Sequence, residues 1–519
     1  MALMHPPINT IHLDKLFCAW PAWIGEVNTN QLLEIIIEIH ENQGQLLSLW
    51  GSDERLNNSQ FQLHLLFLFP KHGTLYLHCA LSENNPVYPD LSSYFPVANR
   101  LQRTLFDLFG FTATSFEDRR PWLRHGAWPQ DIFPLRHEVK IDDQCCQEPD
   151  DYSFIHVQGD GVHEIPVGPV HAGIIEPGHF RFHVVGERIL RLEERLGYTH
   201  KGIAKHFQHI SFDAGAQLAS RICGDSTVAY AWSYSMALEN LHGIHPPPRA
   251  QWLRALLLER ERIMNHLGDL GAIGNDVGFQ FGFNQFSRLK ELVLRRNFKL
   301  FGHRYLMDNI IPGGIAVDLH SEALNDLFEE IQMLRQEVTT LEHIYKEHDG
   351  LQDRLLTTGI IDFKLATELR LLGLIARASG ISNDWREKLP CFPYNRLNFK
   401  GQTTVSGDVA ARVAIRFQEI AASLSLMETI LSSLPRGNLR KNLPTASFIT
   451  IGLGGVEGWR GPIITVLCKH DKQHLHWGQI HDPSWQNWPA LGHAVIGNIV
   501  PDFPLINKSF NLSYSSHDG

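Results

Sequence analysis

Apolar residues recur in two rhythms along this chain, and the change from one to the other divides it. Between Phe61 and Leu81 the rhythm is two: FQLHLLFLF at 61–69 is followed by Pro70-Lys71-His72-Gly73, after which Leu75, Leu77, Cys79 and Leu81 alternate with Tyr76, His78 and Ala80. Residues two apart share one face of a strand, and the Pro-to-Gly segment supplies turn chemistry, so this stretch predicts a hairpin. LLEIIIEIHE at 32–41 predicts a helix before it, and VANRLQRTLFDLFGF a helix after it that stops at Gly110. Together these elements read as a small α/β domain.

Farther along, the rhythm becomes helical. After Pro246-Pro247-Pro248, Trp252, Leu256, Ile263, Leu267 and Leu270 fall near a 3.6-residue period. Leu324, Leu327, Ile331, Leu334, Val338, Leu341 and Ile344 form a second stripe, and Val413, Phe417, Ile420, Leu424, Met427 and Leu431 a third. Such stripes are the seams of a helical bundle. Between the two regions the chain turns polar, with Asp142, Asp143, Gln144, Cys145, Cys146 and Gln147 in succession. This segment reads as a linker. The expected fold class is therefore α+β: a small α/β domain at 1–135, a linker at 136–160 and a mainly α-helical domain at 161–519.

Composition narrows the function. The 519 residues carry 56 acidic and 46 basic side chains, and 43% are hydrophobic. A net charge of −10 without a basic tract argues against a nucleic-acid surface. No window approaches the ~18 uncharged apolar residues of a membrane helix, and the first residues, MALMHPPINTIHLDKLF, lack the pattern of a secretory signal. The seven cysteines are odd in number and contain no C-x-x-C pair, the profile of a reduced chain with neither disulfide framework nor zinc ribbon. Cys145 and Cys146 are too close together to chelate a metal well.

Candidate chemistry is sparse. The string Ile451-Gly452-Leu453-Gly454-Gly455-Val456-Glu457-Gly458 places Glu457 where a dinucleotide fingerprint needs glycine, and a carboxylate repels a pyrophosphate. Any nicotinamide nucleotide is expected on another chain. His200, His206 and His209, and again His474, His476 and His481, cluster in sequence without an acidic or thiol partner at diagnostic spacing, and read as surface or hydrogen-bonded histidines. Glu176 stands among apolar neighbours in PVGPVHAGIIEPGHFRF, a candidate proton carrier because desolvation raises a carboxyl pKa; a structural, helix-capping glutamate is the alternative.

Several segments carry a family resemblance: Gly168-Pro169-Val170-His171; Glu193-Glu194-Arg195 through Gly202; Arg221-Ile222-Cys223-Gly224; Val456-Glu457-Gly458-Trp459-Arg460-Gly461; and the tail with Pro501-Asp502. In these the region from about 160 resembles the large subunit of membrane-bound, energy-converting (group 4, hydrogenase-4 and formate hydrogenlyase-like) nickel-iron hydrogenases. It equally resembles the 49 kDa subunit of complex I. Through Arg103, Asp107-Leu108-Phe109-Gly110 and Arg119-Arg120 the N-terminal region resembles the 30 kDa subunit, with Gln102 and Thr104 where glutamates are usual. The order is that of fused 30 kDa and 49 kDa subunits.

Such hydrogenases hold their metals with thiolates from two C-x-x-C pairs, whose counterparts here are Cys223 with Ser226 and Ser513 with Ser516. Serine hydroxyls are neutral and poor ligands for nickel, so no metal is expected. The quinone-binding tyrosine of complex I falls at Gly224, and its histidine in the loop of Glu176. Tyr230 is a phenol that could donate to a quinone. The resemblance further implies Glu176 as proton relay, and Arg460 in the same cavity or in a salt bridge with Glu457 or another carboxylate. With His171 they border a site also containing Cys223, Ser226, Tyr230, Ser513 and Ser516. It implies a peripheral-arm subunit on the cytoplasmic face of the inner membrane, with no cofactor of its own. Electrons from an iron-sulfur cluster in a partner small subunit would pass to a quinone, coupled to ion movement through antiporter-like membrane subunits alongside other peripheral-arm subunits. A non-catalytic scaffold joining small subunit and membrane module is the alternative.

Overall fold

The hairpin is present as Gln60–Phe69 and Gly73–Ser82, antiparallel, with Leu65 opposite Leu77 and Phe67 opposite Leu75. These are the inner strands of a sheet ordered Asp14–Lys15, Ala22–Val27, Gly73–Ser82, Gln60–Phe69, Gln45–Asp53, in which Ala22–Val27 runs parallel to Gly73–Ser82. This computed structural model describes all residues except 1–4, 141–146, 148, 150–151, 172–174 and 445–448. The helix Leu32–Glu41 buries Leu32, Ile35, Ile36 and Ile39, the one-face spacing its sequence gives. The helix Ala98–Phe109 packs on the strand Gln45–Asp53, and a Cβ at Gly51 would lie 2.7 Å from Phe111, so glycine permits the approach. Gly110, at φ +72°, ends that helix in the left-handed conformation and donates its N–H to Phe106 O at 2.8 Å.

The larger domain is built on a bundle of the helices Pro248–Asp276, Gln280–Phe301, Ser321–Glu347 and Val409–Ser432. Pro248 opens the first of these, where a missing N–H leaves no bond unmade. The stripes expected from sequence form its seams: Leu327, Ile331, Leu334, Val338 and Leu341 are buried, as are Val413, Phe417, Ile420, Leu424, Met427 and Leu431. Many polar positions of the first helix do not face water. Glu259, Arg260, Glu261 and Arg262 are at most 1% exposed. Arg262 donates to Glu419 at 3.3 Å, Glu419 also accepts from Arg377 at 2.7 Å and His266 at 2.9 Å, and Arg377 reaches Glu457 at 2.7 Å.

A three-stranded antiparallel sheet, Ile451–Glu457, Pro462–Lys469 and Leu475–His481, packs on the fully buried helix Thr227–Leu241. This explains the glycine string. A Cβ at Gly452 would fall 2.2 Å from Ala237 O, and one at Gly454 2.2 Å from Ser233 O, so the glycines let strand and helix backbones touch.

The linker expected at 136–160 is anchored at both ends. Arg136 donates to Phe109 O at 2.8 Å and lies over the Phe133 ring, while Tyr152 and the Ile155 N–H bond Glu193 at 3.0 and 2.9 Å. Composition marks these residues as polar, but their charges and rings find partners on the two domains. Cys145 and Cys146 lie outside the described residues. Asp107 accepts the N–H groups of Trp122 and Leu123, both at 2.7 Å, and Arg103 donates to Arg120 O at 2.7 Å. They fix a loop from which Arg120 crosses to Glu193 at 2.5 Å, while Arg100 reaches Glu194 at 2.7 Å.

Candidate functional site

Three turns bring the motif residues together. Cys223 and Ser226 lie between the helices Phe212–Ala219 and Thr227–Leu241; Arg460 follows the strand Ile451–Glu457; Ser513 lies between the short helices Phe503–Phe510 and Tyr514–Asp518. At their meeting point is an ion pair: Arg460 grips both oxygens of Asp225 at 2.7 Å. Around it, Ser226 Oγ donates to Asp225 at 3.0 Å, Arg460 donates to Ser226 Oγ at 3.2 Å, and Trp459 Nε1 donates to the same hydroxyl at 3.0 Å. Cys223 Sγ donates to Asp225 at 2.9 Å and lies 3.2 Å from Ser513 Oγ. Arg460 also donates to Asn511 O at 2.5 Å and stacks on Trp459, 3.9 Å from the ring centroid.

The charges follow from this geometry. Burial, reinforced by the neighbouring Asp225 carboxylate, pushes the Cys223 thiol up to about 12, so it is protonated at neutral pH. Burial would also raise Asp225, but the Arg460 guanidinium overrides it and holds the carboxyl at about 2. The locus therefore presents a neutral thiol, neutral hydroxyls and a fixed ion pair.

His171, Glu176, Cys223, Asp225, Arg460 and Ser513 line one cavity of about 430 Å³. Glu176 is exposed and accepts the Ser515 N–H at 3.0 Å, so the desolvated setting expected for it is not found among the described residues. His171 lies 5.8 Å from the Phe180 ring, and the surrounding protein lowers its pKa by desolvation. Tyr230 does not reach this cavity. Its hydroxyl is buried and donates to Asp482 at 2.8 Å, and with Ser516 it lines a second cavity of about 120 Å³ against the N-terminal domain. The Tyr230 hydroxyl is thus committed to a carboxylate. Ser516 joins the first locus through its backbone, donating its N–H to Ser513 Oγ at 3.0 Å.

Of the two partners considered for Arg460, the structure selects another carboxylate, Asp225, while Glu457 pairs with Arg377. Asp225 was the residue sequence reasoning missed; its position between Cys223 and Ser226 is the signal that could have found it. The histidines also sort differently in space. His200 bonds Asp518 O at 2.8 Å, His474 pairs with Asp471 at 3.0 Å, and His209 and His476 converge with His470, which the sequence clusters leave out.

Comparison with known proteins places these features in context. The family described as "Respiratory-chain NADH dehydrogenase, 49 Kd subunit" matches residues 276–450, and "Respiratory-chain NADH dehydrogenase, 30 Kd subunit" matches residues 25–144. Formate hydrogenlyase subunit 5 of Escherichia coli (strain K12) is 31% identical over 502 residues, covering 95% of this chain and 88% of that one. Hydrogenase-4 component G of the same organism is 29% identical over 502 residues, covering 95% and 87%. A chain of the archaeal membrane-bound sulfane sulfur reductase complex shares the fold, with a TM-score of 0.65 at 23% identity over 70% of this chain and all of that one.

Proposed function

Because the chain belongs to the family of formate hydrogenlyase subunit 5 and joins 30 Kd-type and 49 Kd-type complex I units, we propose that it is the peripheral electron-transfer subunit of a membrane-bound complex I-like or hydrogenase-4-like assembly, and that its larger cavity works without a metal on a quinone-type acceptor. The observation that carries this reading is the Arg460–Asp225 pair. A guanidinium supplies positive charge among the four positions where hydrogenases set thiolates, and the one thiol there is protonated. A soft divalent metal needs thiolates or imidazoles, and hydroxyls beside a fixed cation do not fit one.

A cavity of about 430 Å³ suits a small planar headgroup. When bound, a quinone supplies two-electron, two-proton redox chemistry. The chain contributes the Arg460 Nη2–H that Asp225 leaves over, an imidazole from His171, and a solvent-connected carboxylate at Glu176 to bring protons. Without a C-x-x-C pair, the chain relies on an iron-sulfur small subunit for electrons. No helix among the described residues is long and apolar enough to cross a membrane. Attachment at the cytoplasmic face through antiporter-like membrane subunits, beside other peripheral-arm subunits, follows on this reading.

A second reading, a scaffold without turnover, is favoured by one observation: Asp225, Ser226 and Cys223 already satisfy one another. The test is made on the intact complex. Elemental analysis is expected to find no stoichiometric nickel, and Arg460→Gln to lower quinone reduction by about a hundredfold, the usual scale for losing one aimed donor, with assembly unchanged. About one nickel per chain would sink the metal-free reading. Unchanged quinone reduction in Arg460→Gln would favour the scaffold, and unchanged proton-coupled turnover in Glu176→Gln would remove the relay.

A further inference from the structure

Away from the Arg460 cavity, three imidazoles meet at the seam between the two domains. His209 follows the short helix Ile203–His206, His470 follows the strand Pro462–Lys469, and His476 lies in the strand Leu475–His481. One ring nitrogen from each lies within 4.8 Å of the others. The ring centroids are 5.0 Å apart for His209 and His470, and 5.9 Å from each of these to His476. Zinc–imidazole bonds of about 2.0–2.1 Å in a tetrahedral site place ligand nitrogens about 3.4 Å apart, so the three rings have to close by up to about 1.4 Å. His209 and His470 are exposed, so small rotations of their rings close the difference.

The second observation concerns His476. Its side chain is only 12% accessible, and its Nε2 lies 2.9 Å from both oxygens of Glu54, a residue of the N-terminal domain. Its Nδ1 is buried and has no hydrogen-bond partner among the described residues. A carboxylate on Nε2 fixes the proton there and leaves a lone pair on Nδ1, the arrangement in which a histidine binds a metal with a carboxylate behind it.

We propose that His209, His470 and His476, with Glu54 orienting His476, form a site for one divalent transition-metal ion of the zinc class on the large domain, at its seam with the small one. An all-imidazole set suits zinc, cobalt, nickel or copper rather than magnesium or calcium. Three protein ligands leave a fourth position for water. The site is independent of the quinone proposal, since none of its three histidines lines the Arg460 cavity.

The experiment is a Zn²⁺ titration of the full-length chain stripped with a chelator, in competition with a chromophoric chelator, and a parallel Co²⁺ titration followed by visible absorption. One ion per chain is expected, with the strong visible bands of tetrahedral Co²⁺. His209→Ala and His476→Ala are each expected to weaken binding by about a hundredfold or more, and Glu54→Gln by about 10–100-fold, as for other carboxylates behind ligating histidines. Cys223→Ser is expected to leave it unchanged. The exposed His470→Gln, checked by circular dichroism for an intact fold, guards against a variant that loses metal by unfolding. Binding that persists in His476→Ala, or that needs only the exposed His209 and His470, would overturn the proposal, as would loss of binding in Cys223→Ser.

Discussion

At the scale of single residues, the chemistry of the larger cavity rests on which proton sits where. Cys223 is a donor because Asp225 is an acceptor, and Asp225 is ionised because Arg460 holds it. Asp225→Asn removes the negative charge that keeps the thiol protonated but leaves the Arg460 cation, which favours thiolate. The Cys223 pKa should then fall, and its alkylation by iodoacetamide at pH 8 rise by roughly tenfold for each unit of that fall, since thiolate is the reacting form. Peptide mass spectrometry of the Cys223 fragment reads the result; an unchanged rate would show that burial alone sets the thiol. The string RICGDS shows Asp225 between Cys223 and Ser226 but not which of these groups is ionised. Sequence gives the spacing of Cys223 and Ser226, but the cation that decides their charge state arrives from residue 460.

At the scale of elements, the helix Pro248–Asp276 shows how burial overrides pattern. Its apolar stripe was readable, yet its charged residues are also inside, matched by Glu419, Arg377 and Glu457 from other elements. Burial would raise the Glu419 carboxyl, but the Arg377 guanidinium, then His266 and Arg262, hold it well below the usual range. Glu419→Gln leaves those cations without their anion and should destabilise the chain by about 3–5 kcal/mol, the cost of breaking a buried ion pair from one side. Glu337→Ala, which breaks the surface pair with Arg288, should cost about 0–1 kcal/mol. Urea unfolding of both variants is the measurement, and equal effects would contradict the buried network. A periodicity argument sees only one face of a helix. It does not see the element that covers the other.

At the scale of the whole molecule, the two domains are joined by ion pairs whose anionic halves are buried. Burial raises the pKa of Glu194, which Arg100 partly offsets from the small domain at 2.7 Å. A carboxyl whose folded pKa is raised binds more protons folded than unfolded, so its contribution to stability falls as pH rises from the unfolded value towards the folded one. Arg100→Met removes the offset and raises Glu194 further. The variant should lose about 3 kcal/mol where Glu194 is ionised and less as pH falls through its raised pKa, where the neutral acid needs no partner; urea midpoints measured across pH test this. The sequence by itself determined the two-part order, the hairpin, the bundle stripes and the candidate motif positions, because periodicity, turn residues and ligand spacing are local properties. Tertiary structure alone decided that Arg460 pairs with Asp225, that Tyr230 is spent on Asp482 in a different cavity, that Glu176 stands in solvent, and that His209, His470 and His476 meet. Each of these depends on how the elements pack in space, and no local pattern encodes it.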